Sequence, residues 1–588
     1  MMDTTSYDRL RITGWLLAAA AVGLIVSGLT GSLTWLHWLG YEHLNVNYPF
    51  YAQHARFMGI ALVLAGTAIL AAILFQRKIR GIWTRMRPYS GKTLWVFLLL
   101  VALVLGFIAH GPFRAFPFCM DEYNYWYQAR IFAGGDVYLE SFPEKFRPFV
   151  EKYVILNEGR VFSKYPPGFP ALLALGVIIK APAVINPLIA VITLMLLFLF
   201  VRSFFGPLYA LLAAALMAAN PYFLAYSSSY FSQPAALLGS TLSFYLVRNY
   251  ELSSKTLYLP ALGLVTGYAA LTRPLDAFCV IVPAYLYLLY ILTRQKRFWH
   301  FSYPVATFGL LFAFLLLYNY YLVGKAGIAV YPIARGEFVI KAGHAQGVVQ
   351  NLIDVVRFYY RNAIACIPRL LGTHLLVPTG FFIPLAAIFG VWRFKSGWRW
   401  VLSANFFLLV LMYNFHPGLG WPQYGARYYY SGFFAMVFLA TAALRHFFSR
   451  WGSGVLGYYA VVVVFTIQAV FSVTTIWEYS HRFKVSAMVW EDIERHCPKN
   501  SIVLLDRLAV NPRNSALLSE ANYLSLNDFR RNPFLNGPRL ITKKNRKLPP
   551  GLLRSQFPQR TICTYGFDVL REKPGQGATG AAAAPARF

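Results

Sequence analysis

The chain is written in long apolar blocks separated by short polar and basic stretches, with Trp95 to Ile108 and Leu188 to Val201 as typical blocks. A helix needs about 20 mostly apolar residues to cross the hydrocarbon core of a bilayer. Lipid cannot satisfy backbone polar groups, so such blocks must be helices or the strands of a closed barrel. Barrel strands would be short and alternating, whereas these blocks are continuous. A window of about 19 residues predicts about 13 spans. They fall near 14–38, 56–75, 93–110, 184–202, 207–225, 233–250, 257–271, 274–293, 302–323, 375–392, 399–415, 428–446 and 454–476. The first block, Gly14 to Leu39, is too long for a signal peptide and lacks a small-residue cleavage pattern, so it reads as a retained helix.

Composition agrees with the pattern. Only 13% of the residues are charged and 57% are hydrophobic, whereas a soluble domain carries about 25% charged residues. Aromatics make up 17%, many of them at block ends, as an interfacial belt requires. The net charge of +31 would suggest nucleic acid in a soluble protein. Here most basic residues lie between apolar blocks, where the positive-inside rule puts them, and no nucleic-acid partner is expected.

Charge also orients the chain. Basic residues gather at Arg77 through Arg87, Arg202, Lys255, Arg294 through Arg297, Arg393 through Arg399, and Arg445 through Arg450. With the predicted spans, all six groups fall on one side, together with Arg9 and Arg11. That side reads as the cytoplasm. The expectation is a multi-pass protein of the plasma (inner) membrane with a cytoplasmic N-terminus. Residues 111–183, 324–374 and 416–427 and the tail from Trp477 then lie outside. The organisation expected is 1–92, extra N-terminal helices and a basic loop; 93–476, a transmembrane core; 477–572, a small extracytoplasmic α/β domain; and 573–588, a disordered low-complexity tail. The β-type runs of that domain are Ser501 to Leu505, Pro538 to Thr542 and Arg560 to Thr564. Its Cys497 and Cys563 can pair if the domain is outside, or stay as two thiols. The cysteines show no metal-ligand spacing.

Four stretches on the outer side carry candidate chemistry. Asp121-Glu122 opens a segment that reads as an amphipathic helix ending at Gly134-Gly135. The pair either caps that helix at its positive end or supplies a general base, whose pKa partial desolvation would raise. Lys164, in Ser163-Lys-Tyr-Pro-Pro-Gly-Phe-Pro170, is either a snorkelling anchor or a cation for phosphate. Arg273, in Leu271-Thr-Arg-Pro-Leu-Asp276, lies far from the basic loops and is a functional candidate or the local partner of Asp276. Arg427 stands before Tyr428 at a predicted helix start, where a guanidinium fork suits a phosphate. Together they place a carboxylate pair and three cations on one face, a set that suits transfer of a sugar from a lipid phosphate to a hydroxyl.

At these residues the sequence resembles the GT-C superfamily of membrane glycosyltransferases, in particular the branch with bacterial protein O-mannosyltransferase-like enzymes and lipid A aminoarabinose transferases. The matching stretches are Asp121-Glu122 through Gly135, Lys164 through Pro170, Asn186-Pro187 leading to Arg202-Ser-Phe-Phe-Gly206, Thr272-Arg-Pro274 and Arg427-Tyr428, spanning roughly residues 93 to 446. The resemblance implies an all-α, GT-C-like core and an inverting transfer from a polyprenyl-phosphate sugar to a lipid, glycan or protein acceptor. Asp121 would be the catalytic aspartate and Glu122 its acidic neighbour. Lys164, Arg273, Arg427 and Tyr428 would bind donor phosphate. No cofactor is obligatory. A divalent cation is allowed, held by Asp121 and Glu122 with Asp136 or Glu140. About two extra helices before the Asp-Glu loop and an unmatched tail leave the acceptor open. The alternative reading is a transporter or flippase of a lipid-linked saccharide, which shares the phosphate-binding cations.

Overall fold

A computed structural model of the chain describes residues 90–117, 120–140, 154–157, 159–325, 382–414, 427–450, most of 464–480, 492–509, 539–543 and 550–568, with a few isolated positions. The spans expected at 14–38 and 56–75, most of the segment 324–374 and the low-complexity tail lie outside the described residues. The elements are α1 (Ser90–His110), α2 (Met120–Ala133), β1 (Leu139–Glu140), β2 (Val154–Asn157), β3 (Arg160–Ser163), α3 (Gly168–Ile178), α4 (Ile185–Phe205), α5 (Pro207–Ala218), α6 (Pro221–Ser227), α7 (Gln233–Ser253), α8 (Tyr258–Thr272), α9 (Pro274–Arg294), α10 (Ser302–Val323), α11 (Phe382–Arg393), α12 (Trp398–Asn414), α13 (Phe433–Arg450), β4 (Ser501–Ala509), β5 (Arg539–Lys543), α14 (Pro550–Gln556) and β6 (Thr561–Asp568).

Among the described residues five helical stretches are long and apolar enough to span a membrane: Lys92–His110, Pro182–Phe205, Pro274–Arg294, Phe298–Val323 and Arg427–Ser449. The chain is a multi-pass membrane protein. The single span expected over 207–225 is instead two helices, α5 and α6, bent by 69°. Pro221 cannot donate a helical N–H, and Asn220 caps the new helix by accepting from the Tyr222 N–H at 2.9 Å. Small residues bring other helices close. A Cβ on Gly390 of α11 would strike the Leu439 carbonyl of α13, and one on Gly267 of α8 would come within 2.7 Å of Leu311 of α10.

The segment between α1 and α3 is not the bare loop-and-helix expected. It holds an antiparallel sheet ordered β1-β3-β2. The signal was two short apolar runs, Val154-Ile155-Leu156 and Val161-Phe162, on either side of Gly159, which takes φ +77°. Arg160 clamps the hairpin to the end of α10, its guanidinium 5.0 Å and 5.2 Å from the Tyr138 and Tyr321 rings.

Helix α2 also departs from expectation. Instead of an amphipathic face it buries Glu122, Tyr123, Asn124, Tyr125, Tyr127, Gln128, Ala129 and Ile131. Polar residues on several sides are tolerated because they find partners. Gln128 donates to the Val137 carbonyl at 2.8 Å and accepts from the Ser163 N–H at 2.9 Å. In the tail, β5-β4-β6 forms a parallel sheet, on the three predicted runs. Cys497 and Cys563 are disulfide-bonded, which decides between the two states the sequence allowed.

Candidate active site

Asp121 and Glu122 stand in the first turn of α2 and face different neighbours. Glu122 is fully buried. Its carboxylate accepts the Tyr230 N–H at 2.9 Å, in the turn between α6 and α7. Asn186 donates to the Ser229 and Phe231 carbonyls of that turn at 2.6 Å and 2.8 Å. Glu122 therefore fixes the start of α2 against the α6–α7 turn. Just upstream, Arg114 and Ala115 take φ of 53° and 49°, a left-handed pair of the kind that clusters near functional sites.

Asp121 points to the cations. Its Oδ2 is ion-paired with Arg427 Nη1, across 306 residues of sequence. Its Oδ1 accepts the Tyr165 hydroxyl. Lys164 lies with its Nζ 4.8 Å from the Tyr165 ring. The loop that carries both is pressed onto the α8–α9 turn: a Cβ on Gly168 would come within 2.6 Å of Thr272 Oγ1, and Tyr268 donates to the Gly168 carbonyl at 2.8 Å.

The charge balance corrects one expectation. A raised pKa was anticipated for Asp121, and burial does push it up. Arg427 and Lys164, with the Tyr165 hydroxyl, outweigh burial and hold the carboxyl below its ordinary value of 3.8. Partial desolvation predicts the sign only when no cation is near. Burial also pushes the neighbouring Tyr125 hydroxyl up to about 12, so it is neutral and available for hydrogen bonding.

Arg273 is part of the same cluster but is otherwise engaged. Its Nε donates to Asp276 at 2.9 Å, its Nη1 to Ser232 Oγ at 3.4 Å and its Nη2 to Tyr413 at 2.9 Å. Ser232 in turn donates to the Tyr125 hydroxyl at 2.8 Å, and Tyr413 donates to Asp276. The Tyr413 ring stacks on Tyr428 with centroids 4.5 Å apart, and the Arg427 guanidinium lies 5.2 Å from the Tyr428 ring. The structure thus gathers Asp121, Lys164, Arg273, Arg427 and Tyr428 around Tyr125, Tyr165, Ser232, Asp276 and Tyr413. Of the last five, only Asp276 was named from sequence, as a local partner of Arg273. Tyr125 and Tyr165 lay inside the quoted motifs without being singled out, while Ser232 and Tyr413 had no local signal.

The metal set allowed by the sequence is not assembled. Among the described residues no group of three or more His, Cys, Asp and Glu side chains is placed to hold an ion. Glu122 is turned onto the Tyr230 N–H, and Asp136 is exposed beyond the end of α2.

No protein-family model and no curated protein matches the chain. The solved structures to which it is similar include membrane glycosyltransferases of the GT-C superfamily. They are ArnT from Cupriavidus metallidurans bound to undecaprenyl phosphate (12% identity, TM-score 0.46, covering 80% of this chain and 89% of that one), the Archaeoglobus fulgidus oligosaccharyltransferase in complex with Zn and sulfate (14%, 0.42, 69% and 60%), and the arabinosyltransferase EmbB from Mycobacterium smegmatis (15%, 0.36, 66% and 34%). At such identities and scores the functional reading rests on the side chains.

Proposed function

We propose that this protein is an inverting glycosyltransferase that moves a sugar from a polyprenyl-phosphate donor to a hydroxyl acceptor at the extracytoplasmic face of the membrane. The observation that carries the reading is the pairing of Asp121 with Arg427, beside Lys164, at the helix ends away from the basic loops. A carboxylate base and two phosphate-sized cations then share one corner. The acceptor oxygen attacks C1 of the sugar while the bond from C1 to the phosphate oxygen breaks. The hydroxyl proton passes to Asp121, and the bonding pair leaves with polyprenyl phosphate. Lys164 and Arg427 stabilise the negative charge that grows on the departing phosphate.

The tail disulfide supports the same orientation, because such bonds persist in oxidising compartments. The test uses purified protein in nanodiscs with a radiolabelled polyprenyl-phosphate sugar and a mixed acceptor extract. Asp121→Asn is expected to slow transfer by about 10²–10⁴-fold, the usual contribution of a general base. Full transfer by the variant removes Asp121 as the base. Movement of the donor between leaflets without its cleavage favours the flippase.

A further inference from the structure

The two oxygens of Asp121 are held by two different parts of the fold. Oδ2 meets Arg427, at the entry to α13. Oδ1 meets the Tyr165 hydroxyl, from the loop before α3. That tyrosine is firmly placed. Its N–H donates to Ser163 Oγ at 3.2 Å, and the Ser163 N–H donates to Gln128 of α2 at 2.9 Å. Its ring stacks on Tyr125 with centroids 4.4 Å apart, and Tyr125 meets Phe169 edge-on at 5.2 Å. Pro166 and Pro167 follow and narrow the backbone freedom of the loop. The hydroxyl therefore reaches the carboxylate from a scaffold tied to α2 itself.

Under the glycosyltransferase reading, the donor phosphate draws on Arg427. An N–H that turns to phosphate is lost to Asp121. Oδ2 is then the oxygen that meets the acceptor hydroxyl, and only the Oδ1 contact keeps the carboxylate oriented. We infer that Tyr165 is a positioning residue of this site: its hydroxyl holds the Asp121 carboxylate aimed at the acceptor once the donor phosphate has taken Arg427. The inference rests on the proposed reaction, and it assigns Tyr165 a task distinct from that of Lys164 beside it.

Among the described residues, the charged and titratable groups facing Asp121 are Arg427 from the entry to α13, Lys164 and Tyr165 from the loop, and Tyr125 on its own helix, with Arg273 beyond Tyr125 across Ser232. Glu122 is directed away, to Tyr230. A hydroxyl donated to a carboxylate favours its ionised form, and Tyr165 is among the groups that lower Asp121. Removing that hydroxyl raises the Asp121 pKa, so the acid limb of the rate profile moves to higher pH.

Tyr165→Phe keeps the ring that stacks on Tyr125 and deletes only the O–H. The expected result is a kcat lower by about 10–100-fold, the range for losing one hydrogen bond to a charged group, with the donor KM within about twofold and the acid limb of kcat moved to higher pH. Incorporation of 3-fluorotyrosine at position 165, a stronger donor, is expected to move that limb to lower pH. This second variant keeps the question open to test if the first does not fold. A purely structural role would lower thermal stability or donor binding and leave the limb in place. Unchanged kcat and limb in Tyr165→Phe, or an unmoved limb in the fluorotyrosine protein, overturns the inference. Absence of sugar transfer by the wild type overturns the proposed reaction instead.

Discussion

Helices α7, α9 and α12 each carry a polar cluster at both ends, and the two clusters are built differently. At the end with the basic loops, Arg248 donates to Glu251 at 2.6 Å and through its other nitrogens to Ser203 Oγ and the Ser203 carbonyl, both at 3.2 Å. Glu251 also accepts the Tyr287 hydroxyl at 2.7 Å and the Trp398 indole N–H at 2.8 Å. Its partners come from α7, α9 and α12, so this charge pair works as a staple of the bundle. At the other end, Arg273 and Asp276 with Ser232 and Tyr413 form a similar brace on the same three helices. Beside it lies the pair Asp121 and Arg427, which belongs to neither α7, α9 nor α12. A carboxylate ringed by donors from its own bundle is committed to structure. One shared between a tyrosine and a cation suited to phosphate can exchange a partner for substrate.

Arg427→Ala should give the largest effect that separates the two ends. Under the proposed reaction it removes a charge-assisted partner of the donor phosphate, and it should raise the donor KM by about 10²-fold or more in steady-state assays. Because Arg427 is the strongest of the groups lowering Asp121, the acid limb should also move to higher pH. A donor KM within twofold of wild type would return Arg427 to a structural role. Glu251→Gln should act the other way, costing about 2 kcal/mol for a broken and only partly buried pair. Thermal unfolding should fall while donor KM holds; a changed KM with unchanged unfolding would erase the distinction between the ends. Tyr413→Phe keeps the ring on Tyr428 but deletes the hydroxyl that ties Arg273 to Asp276; it should cost about 1 kcal/mol of stability and shift the donor KM by a few-fold by loosening Arg273. An effect as large as that of Arg427→Ala would mean that Tyr413 touches donor itself.

The smallest effect concerns pH and stability. Asp121 has a folded pKa below its ordinary 3.8, so the stability it contributes is complete above that ordinary value and is lost as pH falls through the folded one. Asp121→Asn should flatten the acid side of the melting-temperature profile below about pH 4. The same acid slope in both proteins would show that the pair adds nothing to the fold.

Much of this was legible because it is local. Apolar blocks of helical length, the Gly134-Gly135 stop after α2, the turn at Thr272-Arg-Pro274 and the pair Arg273–Asp276 at spacing i,i+3 depend on neighbours a turn or so apart. The strand pair at 154–157 and 160–163 was equally local, but its short apolar runs were read as part of a loop. The break at Asn220-Pro221 was hidden because a hydropathy window averages over the one residue that ends the helix.

The sequence by itself determined the apolar helices of a multi-pass membrane protein and marked Asp121, Lys164, Arg273 and Arg427 as charges outside the basic loops. Tertiary structure alone decided which of those charges meet. It placed Arg427 on Asp121 across 306 residues, turned Glu122 away onto Tyr230, and gave Arg273 to the Asp276–Tyr413 brace. It also reversed the expected sign of the Asp121 pKa. Burial can be read from an apolar context, but the Coulomb interaction falls with distance, and that distance is fixed by packing between segments that the sequence keeps far apart.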